Sequence, residues 1–250
     1  MLFVISPAKT LDFESAAPLA SSQPLLAEET LILVEYLRAL SATALGKLFA
    51  VSEKLAQLNW ERYQGFEQAA QRPALWAFKG DVYQGLEVET LPQEAVAYCA
   101  AHLRMLSGLY GVLRPTDAIA PHRLEMGTAL NTDKGKSLYA FWANKITQTL
   151  NTMLEESGAS HLINLASEEY YKSVQEAALI RPVIQVKFLE AKGGKYQTIG
   201  VHAKRARGLM CRFAALNGLE KPEDLKAFNW ENYTFRADLS EANAWAFARG

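Results

Sequence analysis

Leu2-Phe3-Val4-Ile5 is an unbroken apolar run stopped by Ser6-Pro7, the pattern of a buried strand. A loop from Pro18 to Pro24 follows, and Leu26, Leu33, Leu37 and Leu40 then recur at helical spacing. Ser41 and Ser52 stand where helix N-caps belong, which predicts two further helices, one through Phe49 and one towards Tyr63. Ala74 to Phe78 reads as a second buried strand, ended by Lys79-Gly80-Asp81. Pro92 opens a helix with Val96, Cys99, Leu103 and Leu106 inward, and Ser107 to Gly127 reads as turns with a short strand. Ser137 to Glu155 is the longest helical pattern, and His161 to Leu165 is another strand. Val183 to Leu189 and Tyr196 to Val201 flank Lys192-Gly193-Gly194-Lys195, a hairpin signal. A helix from about Ala203 to Leu216 and short strands near Tyr233–Phe235 and Ala244–Phe247 complete the pattern.

Helices and strands alternate, but without the strict rhythm of a doubly wound sheet. The expected fold is therefore α/β, a mixed sheet with surrounding helices. No repeat or low-complexity tract divides the chain, so one domain over residues 1–250 is expected.

Composition narrows the function. Half the residues are apolar, 21% are charged and the net charge is -1, so the molecule as a whole does not attract polyanions. The N-terminus lacks a basic segment, and no run approaches the roughly 18 apolar residues of a membrane span. The two cysteines, Cys99 and Cys211, form no CxxC pair, which argues against a disulfide framework or structural zinc. A cytoplasmic, monomeric protein without a membrane partner or required cofactor is expected.

The charge distribution is more telling than its sum. Ala191 to Leu219 carries six basic residues, Lys192, Lys195, Lys204, Arg205, Arg207 and Arg212, and no acidic one. On a helix, Lys204, Arg205, Arg207 and Arg212 share one broad face, with Leu209, Phe213 and Leu216 opposite. Such a face is either a solvated surface or an anion site, and the absence of interleaved Glu favours the latter. Arg suits phosphate because its planar fork donates two parallel hydrogen bonds.

Further motifs place cations at predicted strand ends or in Gly-rich turns. They are Ser6-Pro-Ala-Lys9-Thr10, Phe78-Lys79-Gly-Asp81-Val-Tyr83, His102 to Pro115 with Arg104 and Arg114, Pro121-His-Arg123-Leu-Glu125-Met-Gly127, and Asn164 to Lys172. Strand ends hold ligand-facing residues because the sheet fixes them and the loop exposes them. Together the motifs imply one shared polar cleft. Catalytic templates are missing: there is no GxSxG elbow, no Walker loop and no paired histidines for a metal. Cys211 lies near Arg207 and Arg212, which would favour thiolate, but a buried inert thiol is the stronger reading.

These phrases, together with Leu138-Tyr139, Phe141-Trp142, Asn164-Leu-Ala-Ser167 and Ala203-Lys-Arg-Ala-Arg-Gly208, resemble the YaaA peroxide-stress-resistance family. The resemblance runs in the same order from Met1 to about Trp230. It implies a protein that protects bacteria against hydrogen peroxide, limits free intracellular iron, and binds double-stranded and branched DNA in a basic cleft of an unusual α/β fold. It also implies a helix-hairpin-helix-like element within 41–64, with Lys47 and Lys54 near its turn.

On this reading Lys9, Lys47, Lys54, Lys79, Arg104, Arg114, Arg123, Lys172, Lys204, Arg205 and Arg207 contact DNA. Ser6, Thr10, Asp81 and Glu125 support the cleft. The alternative is an enzyme acting on a nucleotide or damaged nucleic acid, with Asp81, Glu125 or Lys204 as acid or base.

Overall fold

In the computed structural model, which describes residues 1–18 and 22–250, an eight-stranded mixed sheet organises the chain. The middle of the Pro18–Pro24 loop lies outside the described residues. β1 (Leu2–Ile5) is entirely buried, as its apolar run requires. The short β2 (Thr10–Leu11) follows, then three helices, α1 (Ala27–Arg38), α2 (Ala42–Phe49) and α3 (Glu53–Gln64). Ser41 caps α2 by accepting from the Ala44 amide at 3.2 Å, and Ser52 stands at the N-cap of α3 without that bond.

The predicted strand at Ala74–Phe78 is instead one helical turn. β3 (Arg72–Pro73) leads into α4 (Ala74–Ala77), and only β4 (Phe78–Lys79) is extended. The amides of Ala74 and Leu75 donate to Asp117 O and Pro115 O, so the segment is fixed by a neighbouring loop rather than by a sheet. A short apolar run does not distinguish a buried strand from a buried helical turn. α5 (Asp81–Leu86) comes next, and α6 (Gln93–His102) stops earlier than its apolar pattern suggests. Leu103 and Leu106 belong to β5 (Leu103–Ser107), a fully buried strand beside β1.

β6 (Gly111–Leu113) and β7 (Ala118–Ile119) occupy the turn-rich segment. The long helix expected after Ser137 is broken into α7 (Leu138–Trp142) and α8 (Lys145–Glu156) at Ala143, whose φ is 45°. The buried Trp142 indole, which donates to Gly108 O at 3.0 Å, fixes the first segment separately. β8 (Leu162–Leu165), α9 (Glu168–Tyr171), the β9 (Val183–Lys192)–β10 (Lys195–Gln197) hairpin and α10 (Gly200–Asn217) follow, and β11 (Thr234–Phe235) and β12 (Ala244–Arg249) close the sheet. β10 is shorter than predicted because α10 begins at Gly200.

The strand order is β11-β12-β9-β8-β1-β5-β6, with β10 paired to β9. β12, β9, β8, β1 and β5 run parallel, and the edges β11 and β6 are antiparallel. From β1 the chain builds β5 on one side and then crosses to build β8 on the other. β1 is thus a topological switch point, and the crevice beyond its C-terminal end is where open α/β sheets bind ligands.

Candidate functional site

The cleft lies at that switch point. Its sheet edge is made by the residues immediately after β1 and β8. The Ser6 hydroxyl accepts from the Ser167 amide at 2.8 Å and donates to Ser167 Oγ at 3.2 Å, tying the two strand ends together. Tyr83 Oη donates to Ser6 O at 3.1 Å and so locks α5 to the same corner.

α10 crosses α5 at two glycines. A Cβ on Gly208 would lie 1.8 Å from Val82 O, and one on Gly85 would lie 2.2 Å from Arg205 O. Only hydrogen at both positions permits this backbone approach. The crossing carries Lys204 and Arg207 over the ends of β1 and β8. A cleft of about 440 Å³ results, lined by Ser6, Lys9, Thr10, Lys79, Asp81, Ser167, Glu168, Glu169, Tyr170, Lys204 and Arg207 among others.

Charge in the cleft is only partly balanced. Lys9 pairs with Glu125 at 2.6 Å, and Glu125 also pairs with Arg123 at 2.9 Å, so the Arg123 motif adjoins the wall. Lys79 pairs with Glu89 and approaches Asp12 at 3.7 Å. Among the described residues, Lys204 and Arg207 make no ion pair. Burial lowers the Arg207 pKa, and its Nε is shielded without an acceptor. Arg205 pairs with Glu231 at 2.8 Å and lines an adjoining recess of about 380 Å³ that shares Lys79 and Tyr83 with the cleft.

The family model described as peroxide stress protein YaaA matches residues 1–239. The chain belongs to that family. It is similar over its whole length to UPF0246 proteins of Hahella chejuensis (48% identical, 99% of that protein covered), Acaryochloris marina (48%, 100%) and a Janthinobacterium species (46%, 98%). No described helix is long and apolar enough to cross a membrane.

Not every cation singled out for this family member reaches the cleft. Arg104 is buried, and its guanidinium donates to Ala100 O, Leu103 O and Met153 Sδ, capping the C-terminal end of α6. Arg114 closes the Arg-Pro-Thr-Asp turn on Asp117, which is fully buried, and donates to Gln23 O at 2.7 Å. Lys172 lies over the Tyr139 ring at 5.3 Å. Lys47 and Lys54 are exposed on the α2–α3 hairpin, and Lys47 lines a recess that shares no residue with the cleft.

Arg212 departs from the predicted open face. It donates to Leu86 O and Glu87 O at 2.9 Å, capping α5, while Leu216 is exposed. The buried side of α10 is built from Ala203, Ala206, Gly208, Met210, Cys211 and Ala214, because α5 and α6 both pack on it. Ser167, Glu169 and Tyr170, all within the Asn164–Lys172 motif, line the cleft directly after β8.

Proposed function

We propose that this protein binds double-stranded and branched DNA along the cleft and its rim, and that this binding protects DNA under peroxide stress. The carrying observation is the gathering of Lys9, Lys79, Lys204 and Arg207 from distant chain segments at one switch point, with Arg205 beside them. The carboxylate partners of Lys9 and Lys79, Glu125 and Glu89, are exchangeable for phosphate oxygens. The α2–α3 hairpin, with Lys47 and Lys54 exposed beside the turn at Ala50, supplies a second backbone contact as a helix-hairpin-helix-like element. Membership of a peroxide stress family supports the protective role, and a limitation of free iron would accompany it. That limitation is indirect in this reading, since no group of three or more His, Cys, Asp or Glu among the described residues is placed to hold a metal.

A second reading, an enzyme acting on a nucleotide or damaged nucleic acid, draws on Asp81 and Lys204 lining the same cleft. The test of the first is binding to unrelated duplexes and a four-way junction across a salt series. Phosphate contacts give a steep salt dependence and similar affinities for unrelated sequences. Salt-independent or undetectable binding would remove the DNA reading.

A further inference from the structure

Arg207 sets the floor of the cleft apart from its rim. Its neighbours on α10, Ala203, Ala206 and Met210, are buried, and its shielded Nε has no acceptor. Arg123 and Arg205 have carboxylate partners, whereas Arg207 has none among the described residues. A half-buried guanidinium without a counter-charge is unfavourable in the free protein, and a ligand anion relieves that penalty.

Size and lining define the ligand. A volume of about 440 Å³ suits a small molecule, and a duplex can only lie across the mouth. Asp81 and Glu168 line the same cleft as Lys204 and Arg207, with apolar surface from Pro7 and Val82. A bare phosphate would satisfy the cations but would meet the carboxylates unfavourably. A ligand with an anion at one end and N–H or O–H donors at the other matches both sets. A nucleotide has that chemistry.

We propose that the floor of the cleft takes one nucleotide, with its phosphate on Arg207 and Lys204 and its base or sugar donors towards Asp81 and Glu168. The nucleotide is either free or turned out of a DNA strand, as in proteins that read an extruded base. The proposal rests on the reading of the cleft as a phosphate site, and adds that one unit enters it.

The test uses calorimetric titration of the full chain with adenosine 5′-monophosphate, inorganic phosphate and adenosine. A duplex carrying a central 2-aminopurine, whose emission rises on unstacking, is titrated in parallel. The nucleotide is expected to bind at least tenfold more tightly than phosphate or adenosine if the source is free. Emission is expected to rise if the source is a strand. Arg207→Gln and Lys204→Gln should each weaken whichever signal is seen by tenfold or more; circular dichroism checks the fold, and Lys204 is exposed enough for its variant to fold. Duplex binding without either signal overturns the subsite and leaves the DNA reading standing. Nucleotide binding without duplex binding does the reverse. Equal binding by wild type and both folded variants would place the nucleotide elsewhere and end the proposal.

Discussion

Lys9 Nζ lies 2.6 Å from Glu125 Oε2, while Glu125 Oε1 accepts from Arg123 at 2.9 Å. One carboxylate thus holds two cations from different motifs at the cleft wall. The side chain of Lys9 is 64% exposed and that of Glu125 24%, so the pair is wet enough to open.

Glu125→Gln should free Lys9 and Arg123 without removing either. Duplex affinity at low salt should rise severalfold, and stability should fall by roughly 1–3 kcal/mol, because Arg123 is only 18% exposed and loses its carboxylate partner. Fluorescence anisotropy and a denaturant melt measure both. A loss of affinity would show that Glu125 positions Lys9 productively rather than masking it.

The α5–α10 crossing makes a second, opposite prediction. In most helices Gly→Ala is stabilising by up to about 1 kcal/mol. At Gly208 the added Cβ would meet Val82 O at 1.8 Å, so the helices must separate. Gly208→Ala should destabilise by roughly 2 kcal/mol or more, a fall in Tm of about 5 °C for a chain of this size. Gly200→Ala, where a Cβ would meet nothing within 4 Å, is the control and should be neutral. An equal response from both would mean the close approach is not present in solution.

How much of this is legible in the sequence depends on the kind of signal. β1, β8 and the β9–β10 hairpin follow directly from apolar runs and the Gly-Gly turn, because burial and turn geometry leave local marks. Leu103 and Ala74 depart from their expected elements because an apolar run reports burial but not conformation; pairing partners distant in sequence decide it. Lys9, Lys79 and Lys204 are recognisable as cations after strands or on an amphipathic helix. That Arg104 and Arg212 instead cap α6 and α5 is not legible, since a helix-capping arginine and a ligand-binding one share the same local pattern. The glycine crossing that aims Arg207 into the cleft depends on two segments far apart in the chain, and leaves no local trace.

His122 gives a pH signature. It is buried, its Nδ1 hydrogen-bonds Ala120 O at 2.9 Å, and Tyr110 and Phe78 present rings to it. Burial pushes its pKa down to about 4. Between that value and the ordinary value near 6.5 the unfolded chain binds the extra proton, so stability rises with pH there. Full stability is present above about pH 6.5, and on the order of 3 kcal/mol is lost as pH falls towards 4. Urea melts at pH 7 and pH 5 should show the loss, and His122→Gln should flatten it. An unchanged slope in that variant would assign the acid sensitivity to other groups.

Cys211 is buried against α5 and α6, and burial pushes its thiol well above the ordinary range; Cys99 is pushed up to about 12. Thiols held protonated are poor nucleophiles towards peroxide. Both should therefore resist a thiol reagent until denaturant is added, and Cys211→Ser should leave peroxide survival of cells unchanged at equal protein level. Rapid labelling of the native protein, or lost survival, would make Cys211 a redox sensor.

Cations that face the cleft are distinct from those that serve the fold. Lys9, Lys79 and Lys204 line it, whereas Arg104 and Arg114 are tied to backbone carbonyls and Asp117. Removing one cation that neutralises a phosphate should reduce the slope of log K against log salt by roughly 0.9. Lys79→Gln and Lys204→Gln should each do so, and the double variant should show roughly twice the reduction. Lys204 is exposed on α10 and Lys79 is part-exposed at the end of β4, and Gln keeps the first methylenes of both stems, so folding should be retained. Affinity should fall by similar factors for unrelated duplexes, because phosphates carry no base identity. Arg114→Gln should lower Tm by breaking the pair with buried Asp117, yet leave the slope intact in whatever fraction folds. Slopes measured by anisotropy over a salt series, beside melts of each variant, decide it. If the lysine variants keep the wild-type slope while Arg114→Gln lowers it, DNA lies along the Arg114 turn and the cleft serves another ligand.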